Sequence, residues 1–157
     1  MNIKLIQIGQ TKQSDLDRLI KHYEKRISHF INFETRSIPD IKNTKNLSET
    51  KQKEKEAERL LQHLNTSDWI VLLDEKGKSL TSRGFAAFYQ NKMNASIKTL
   101  CFVIGGPYGF SDAIYKRAHQ KVSLSAMTFT HEMIRLFFVE QTYRAYAILN
   151  NLPYHHD

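Results

Sequence analysis

A glycine-rich segment, Gly105-Gly106-Pro107-Tyr108-Gly109, is the part of this sequence that best suits ligand binding. It follows the apolar run 100–104, which is typical of a buried strand. Glycines at such a point let the backbone approach a ligand closely, and a helix that follows presents free amides. Taken alone, however, the pattern more often indicates a plain tight turn. Its meaning therefore depends on the rest of the chain.

Several known catalytic patterns do not match. The glycine spacing differs from that of a dinucleotide site, and the strand that follows supplies Ser123 and Ser125 instead of an acidic residue for a ribose. The Gly-Lys-Ser/Thr ending of a phosphate-binding loop is also missing. His131 opens a segment like a zinc-protease helix, but Arg135 replaces the second histidine, so we predict no metal site. A hydrolase is disfavoured because Gly-x-Ser-x-Gly does not occur.

Two further segments come directly after apolar runs. They are Leu73-Asp74-Glu75-Lys76-Gly77 and Leu124-Ser125-Ala126-Met127-Thr128-Phe129. Ligands of open parallel sheets bind beyond the carboxyl ends of the strands, where such loops gather. We therefore expect the glycine-rich segment and these two segments to border one site.

Polar side chains cluster toward the C-terminus: Arg135, Glu140, Gln141, Arg144 and the tail Pro153-Tyr154-His155-His156-Asp157. A simple explanation exists for each of them. Charged and polar groups at a terminus are usually solvated, and the spacing of Glu140 and Arg144 fits an ion pair on a helix surface. The cluster alone does not indicate a catalytic site.

The elements that position these residues alternate between strand and helix. Strands are predicted at 3–8, 33–38, 69–73, 100–104 and 122–124, and helices at 14–30, 49–64, 82–93, 112–119 and 131–150. Ser14 is the expected cap of the first helix, 74–78 an expected turn, and the charged run 51–56 an expected solvated face. The alternation predicts an α/β fold, with a largely parallel sheet, helices on both faces and one domain over residues 1–157.

The last predicted helix is apolar on more than one side. Met133, Phe137, Phe138, Tyr143 and Tyr146 cover more than the single stripe that a one-sided helix needs. Such a helix lies either in the middle of a core or at a subunit interface. Because so short a chain offers few elements as cover, a subunit interface, as in a homodimer, is at least as well supported as a core position.

The composition narrows the function classes. A net charge of +7 and a pI near 9.5 suit a polyanionic partner such as nucleic acid. No apolar run is long enough to span a membrane, and the N-terminus lacks a signal-peptide layout. With a single cysteine, Cys101, no intrachain disulfide is possible. We expect a soluble cytoplasmic protein.

Read together, five segments resemble the SPOUT methyltransferases, in particular minimal members that act on large-subunit ribosomal RNA. These segments are 72–78, 102–109, 124–129, Glu140-Gln141-x-Tyr143-Arg144-Ala145 and the closing Tyr154-His155. The resemblance spans nearly the whole chain. It implies a SPOUT-type α/β fold with a C-terminal trefoil knot, a homodimer, and S-adenosylmethionine as cofactor. The implied substrate is a pseudouridine in a stem-loop of 23S ribosomal RNA, methylated at N3 on the assembled ribosome.

The resemblance also implies roles for particular residues. Leu73, Gly105 and the segment 124–129, namely Leu124, Ser125, Ala126, Met127, Thr128 and Phe129, should bind the cofactor. Arg144, Tyr154 and His155 should be catalytic: His155 as a base, Arg144 by stabilising negative charge, and Tyr154 by stacking or hydrogen bonding.

The chain departs from the family pattern at two positions. Thr130 stands where a proline often precedes the last helix, and it can cap that helix; His156 replaces a basic residue and so weakens the match of the tail. Two alternatives stay open: an RNA- or ribosome-binding module of the same fold without turnover, and an unrelated nucleotide-binding protein. Binding of S-adenosylmethionine separates the first from an enzyme.

Overall fold

The apolar runs form five strands of one sheet in the computed structural model, which describes residues 1–156. The strands are β1 (Asn2–Ile8), β2 (Phe33–Ile38), β3 (Trp69–Ser79), β4 (Thr99–Ile104) and β5 (Gln120–Ser123). Their order across the sheet is β2-β1-β4-β3-β5, and every pairing is parallel. Strand β4 is buried along nearly its whole length because β1 and β3 flank it and helices cover both faces.

Helices cover both faces of this sheet, as predicted. They are α1 (Ser14–Ile27), α2 (Glu49–Leu61), α3 (Ser82–Asn94), α4 (Asp112–Arg117) and α5 (His131–Leu149), with a short 3-10 turn at Thr44–Asn46. Helices α1, α3 and α5 pack on one face, against residues such as Leu5 and Phe102. Helices α2 and α4 pack on the other, against residues such as Ile6 and Val103.

Helix α5 is covered on two sides by helices of its own chain. It packs between α1 and α3, and the hydroxyls of Tyr89 on α3 and Thr142 on α5 lie 2.9 Å apart in the buried interior. On the α1 side, Arg26 donates a hydrogen bond to the hydroxyl of Tyr143. Other helices of the same chain therefore account for most of the apolar surface of α5, which lies in the core of one subunit. Met133 and Phe137 remain only partly covered.

Three local predictions were wrong. Ser14 is the first residue of α1 and not its cap, because Gln13 occupies the cap position without a side-chain hydrogen bond. Residues 74–78 do not form a turn but continue β3, which pairs with β5 on both sides of an irregularity between Leu73 and Lys78. Gly77 allows this because a Cβ there would lie 2.6 Å from the backbone of Val122.

The third wrong prediction concerns the charged run 51–56. Lys51, Glu54 and Lys55 are exposed, as expected, but Gln52 and Glu56 are buried against the sheet side of α2. Thr130, in contrast, does cap α5, because its hydroxyl oxygen accepts a hydrogen bond from the amide of Met133.

The single cysteine lies at the centre of the sheet. Cys101 on β4 is fully buried, and burial, the largest cause, raises the pKa of its thiol to about 12. Across residues 1–156, none of the helices is both long and apolar enough to cross a membrane.

Candidate functional site

A cleft of about 400 Å³ opens at the carboxyl ends of β3, β4 and β5. This is the edge at which open parallel sheets bind ligands, and the volume falls in the range of sites for small molecules and cofactors. The three segments singled out in the sequence meet here. Among the residues expected to bind cofactor, Leu73, Gly105, Leu124, Ser125, Met127, Thr128 and Phe129 line the cleft, whereas Ala126 does not.

The glycine-rich segment forms one wall of the cleft as a tight turn. The amide of Gly109 donates to the carbonyl of Gly106 at 3.1 Å, and Gly109 has a φ of +77°, in the left-handed region that favours glycine. At Gly105 a Cβ would come within 3.0 Å of the Phe110 ring. The segment is thus both a tight turn and a wall of the cleft, so the two interpretations of its sequence are compatible.

The segment after β5 forms a second wall and is shaped by its serines. The hydroxyl of Ser123 donates to the carbonyl of Ser125 at 2.9 Å, and the Ser125 hydroxyl oxygen accepts from the amide of Met127 at 2.9 Å. Met127 is 74% exposed at the mouth of the cleft, and Phe129 packs edge-on against Phe137 of α5. The mouth therefore has an apolar rim.

The cleft is also lined by a hydrogen-bonded pair of side chains, Tyr115 and Asp74, which the sequence analysis did not identify as a pair. The hydroxyl of Tyr115, on α4, donates to Asp74 at 2.6 Å, and Asp74 also accepts from the amide of Lys76 at 2.8 Å. Burial and this hydrogen bond to the carboxylate raise the pKa of Tyr115 to about 12, so its hydroxyl is a stable donor. The pair joins the end of β3 to α4.

The start of α5 contributes His131 and Ile134 to the same cleft. Burial, and secondarily the charge of Arg135, lowers the pKa of His131, which favours the neutral imidazole. Arg135 is itself only 2% exposed and donates to the carbonyl of Ile8 and the hydroxyl of Thr11. It ties the loop after β1 to α5 and so acts here as a structural group.

The candidate catalytic residues form a separate cluster near the end of α5. The Nε of Arg144 donates to Glu140 at 3.1 Å, and its Nη1 lies 3.4 Å from Nδ1 of His155. The hydroxyl of Tyr154 donates to Glu140 at 3.1 Å and lies 3.1 Å from the hydroxyl of Tyr23. The structure therefore brings Arg144 and Tyr154 together around the carboxylate of Glu140, with His155 beside Arg144.

Protonation in this cluster follows from its contacts. Burial, followed by the hydrogen bond with Tyr23 and the proximity of Glu140, raises the pKa of Tyr154. The hydrogen bond to Glu140 raises the pKa of Arg144. At neutral pH the tyrosine thus keeps its proton and the guanidinium keeps its charge. The predicted Glu140–Arg144 ion pair is present, but Tyr154 also shares its carboxylate.

The structure does not bring this cluster to the cleft within one chain. From Ile134, which lines the cleft, to Arg144, α5 rises by about 15 Å along its axis. Asp157, the last residue of the predicted tail, lies outside the described residues. In residues 1–156 no group of three histidine, cysteine or acidic side chains could hold a metal ion.

Comparisons with known proteins point to one family of methyltransferases over nearly the full length of the chain. A family model described as predicted SPOUT methyltransferase matches residues 1–155. The chain is 60% identical over 156 residues to a protein of Flavobacterium johnsoniae named ribosomal RNA large subunit methyltransferase H, covering 99% of both chains. Proteins of the same name from Parabacteroides distasonis and Bacteroides thetaiotaomicron are 56% and 51% identical to it over 157 residues and the full length of both chains.

Proposed function

Because the chain belongs to the SPOUT methyltransferase family, we propose that it transfers a methyl group from S-adenosylmethionine to large-subunit ribosomal RNA. The observation that carries this proposal is the full-length similarity to proteins named for that reaction, together with a cofactor-sized cleft at the expected edge of the sheet. The proposed acceptor is N3 of a pseudouridine in a 23S stem-loop, on the assembled ribosome in the cytoplasm. The net charge of +7 suits such a polyanionic substrate.

The residues of the cleft fit S-adenosylmethionine. Leu73, Gly105 and the segment 124–129 would hold it: apolar side chains pack on the adenine, and loop backbone groups hydrogen-bond its ring edge and ribose. Ala126 belongs to this proposal as part of the segment, although it does not itself line the cleft. When bound, the cofactor supplies an electrophilic methyl group on a sulfonium. The chain itself has to position the acceptor base and remove its proton.

We assign that work to the polar cluster. His155 accepts the proton from N3, because Tyr154 retains its own proton and Arg144 its charge. Arg144 stabilises negative charge that develops on the carbonyls beside N3, and Tyr154 stacks on or hydrogen-bonds the base.

The distance between cleft and cluster supports a homodimer in which the tail of one subunit completes the cleft of the other. Two observations favour this arrangement. Along α5, Arg144 lies about 15 Å beyond Ile134, which lines the cleft, and the partly covered Phe137 packs against Phe129 of the apolar rim. A second subunit placed there would cover apolar surface and bring its own His155 near the methyl donor.

A trefoil knot in the C-terminal part of the chain also belongs to the proposal. It rests on family resemblance, since general rules of chain topology disfavour knots. The segments that would form it, 102–109 and 124–129, are those that line the cleft.

The decisive test is transfer of a labelled methyl group from S-adenosylmethionine to ribosomes that lack the modification, followed by mapping of the modified nucleotide. We expect incorporation at a single pseudouridine. No transfer to ribosomes, subunits or RNA would refute the proposal. If S-adenosylmethionine binds but no RNA substrate accepts methyl, the alternative of a binding module without turnover gains support.

Exchange of sites between subunits can be tested with two inactive variants. Thr128→Arg should block the cleft, and His155→Ala should remove the base. If the tail acts across the dimer, randomly mixed subunits contain one intact site in every heterodimer, so activity returns to about a quarter of the wild-type value. If the tail acts in its own subunit, no mixed dimer contains an intact site and activity stays absent.

A further inference from the structure

Glu56 is a buried carboxylate that the proposed reaction does not use. It lies on α2, is 3% exposed, and its Oε1 accepts a hydrogen bond from Gln52 at 3.0 Å. The second oxygen, Oε2, is buried without a hydrogen-bond partner, and within residues 1–156 no ion pair involves Glu56. A buried carboxyl with an unsatisfied oxygen is costly and calls for an explanation.

This carboxylate packs directly against the glycine turn of the cleft. A Cβ built on Gly106 would lie 2.3 Å from Oε2 and 2.4 Å from Oε1, so the carboxylate keeps this position only while residue 106 has no side chain. The other side of Gly106 lines the cleft. Glu56 is therefore separated from a bound cofactor by the thickness of one backbone segment.

Among residues 1–156 no cation forms an ion pair with Glu56, since Arg59, three residues further along α2, donates to the carbonyls of Pro39 and Asp40 instead. The neighbour of Glu56 on α2 is the neutral amide of Gln52, the turn after β4 contributes only backbone, and the loop after β2 contributes the carboxylate of Asp40. Burial, the largest cause, and Asp40 both raise the pKa of Glu56 above its ordinary value of 4.5. A cation brought into the cleft would favour the ionised form.

We propose that Glu56 senses the charge of the cofactor: its carboxyl releases a proton to solvent when S-adenosylmethionine binds and takes one up when the methyl group has left. This inference rests on the proposed function, which supplies a cationic donor and, after transfer, S-adenosylhomocysteine without the sulfonium charge. Glu56 touches neither reacting atom, so it is a positioning residue. By linkage, ionised Glu56 raises the affinity for S-adenosylmethionine relative to S-adenosylhomocysteine, and so promotes replacement of the product by a new donor.

Calorimetric titration measures this directly. Binding of each ligand to the wild-type protein is recorded between about pH 5 and pH 7 in buffers of different ionisation enthalpy, which gives the number of protons released. We expect release with S-adenosylmethionine and little with S-adenosylhomocysteine. In E56Q, which keeps the size and the hydrogen bond of the side chain, release should disappear and the preference for donor over product should fall by about fivefold.

Two further variants keep the interpretation unambiguous. E58Q removes an exposed carboxylate on the same helix and should behave as wild type. Asp40→Asn removes the neighbouring negative charge and should move the pH of maximal release downward, because it lowers the pKa of Glu56. A buried glutamate with only a packing role would give neither effect.

The outcomes separate this inference from the function on which it rests. Wild-type protein that does not bind S-adenosylmethionine overturns both. Wild-type protein that binds it with the same proton release as E56Q overturns only the role of Glu56.

Discussion

At the scale of single residues, the contacts of Glu140 organise the polar cluster near the end of α5. Glu140 holds both Arg144 and Tyr154, and Arg144 in turn lies beside His155. The Glu140 carboxylate therefore holds the Arg144 guanidinium and the Tyr154 phenol in fixed positions, and the imidazole of His155 lies beside the guanidinium. This explains why a helix-surface ion pair, sufficient to account for Glu140 and Arg144 alone, is not the whole description.

Replacing His155 by alanine should reduce kcat by about 10² to 10⁴, the usual contribution of a general base. Tyr154→Phe keeps the ring and should lower kcat less than Tyr154→Ala does. All three variants should bind S-adenosylmethionine nearly as well as wild type, because the proposed cofactor-binding residues belong to the loops of the cleft and not to the tail. Single-turnover methylation and calorimetric binding measure the two effects. His63→Ala, a histidine outside both groups, serves as the control, and unchanged kcat in His155→Ala would remove this residue from the mechanism.

Glu56 also has a consequence for stability. Its pKa is raised in the folded state by burial, so the folded protein holds this proton more tightly than the unfolded chain. Stability is then lost as pH rises from about 4.5 through the raised pKa, and the loss persists at higher pH.

The E56Q variant should escape this loss. Between pH 4 and pH 8 the Tm difference between E56Q and wild type should move in favour of the variant, because glutamine has no proton to lose. Thermal unfolding followed by circular dichroism measures it, with E58Q as the matched control. A difference that does not vary with pH would mean that Glu56 titrates as it does in the unfolded chain.

At the scale of elements, the helix caps provide a clean comparison. The hydroxyl oxygen of Thr81 accepts from the amide of Gly84 at 3.0 Å and caps α3, whereas Ser14 only begins α1 and makes no cap. Thr81→Ala should lower the free energy of unfolding by about 1 kcal/mol. Ser14→Ala should change it by less than about 0.5 kcal/mol, as for other surface positions. Urea denaturation distinguishes the two, and equal losses would contradict the assignment.

The existence and type of most elements could be predicted from the sequence because strands buried on both faces are continuously apolar. The continuation of β3 past Asp74 could not, because it depends on the fit of Gly77 against Val122, far away along the chain. The same holds for the site. The loops after β3, β4 and β5 have recognisable patterns, but Tyr115 and His131 reach the cleft from two different helices, and Glu56 packs behind Gly106 from a third. No local spacing indicates such a meeting, and Glu56 is hidden in a run of charges that is otherwise solvated.

At the scale of the whole molecule, helix α5 connects the two halves of the proposed active site. Its first residues line the cleft, and its last turns carry the catalytic cluster. In one subunit the tail folds back along α5 as far as Glu140, and the cleft lies beyond, at the first residues of the helix. The dimer is therefore required for catalysis in our proposal and does not merely add stability.

Substitutions of two adjacent phenylalanines, Phe137 and Phe138, should distinguish an effect on dimer formation from an effect on folding. Phe138 is fully buried and packs 4.7 Å from the ring of Phe102, so Phe138→Ala should cost about 3 to 5 kcal/mol of unfolding free energy. Phe137 is only partly covered and contacts Phe129. Phe137→Ala should leave the fold intact but shift sedimentation velocity profiles toward monomer and lower methyl transfer in parallel. Wild-type protein that sediments as a monomer at micromolar concentration would contradict the dimer.

Because Cys101 is buried on the central strand, the reactivity of its thiol reports how often the sheet opens to solvent. The thiol lies on the central strand and has a pKa of about 12, so reagents that attack thiolates cannot reach it while the sheet is closed. Each modification event therefore counts an excursion in which β4 is exposed to solvent. The rate of alkylation of the unmodified protein should follow its global unfolding equilibrium, slow down when cofactor is bound, and rise in Phe138→Ala, as mass spectrometry over time can record without any engineered label.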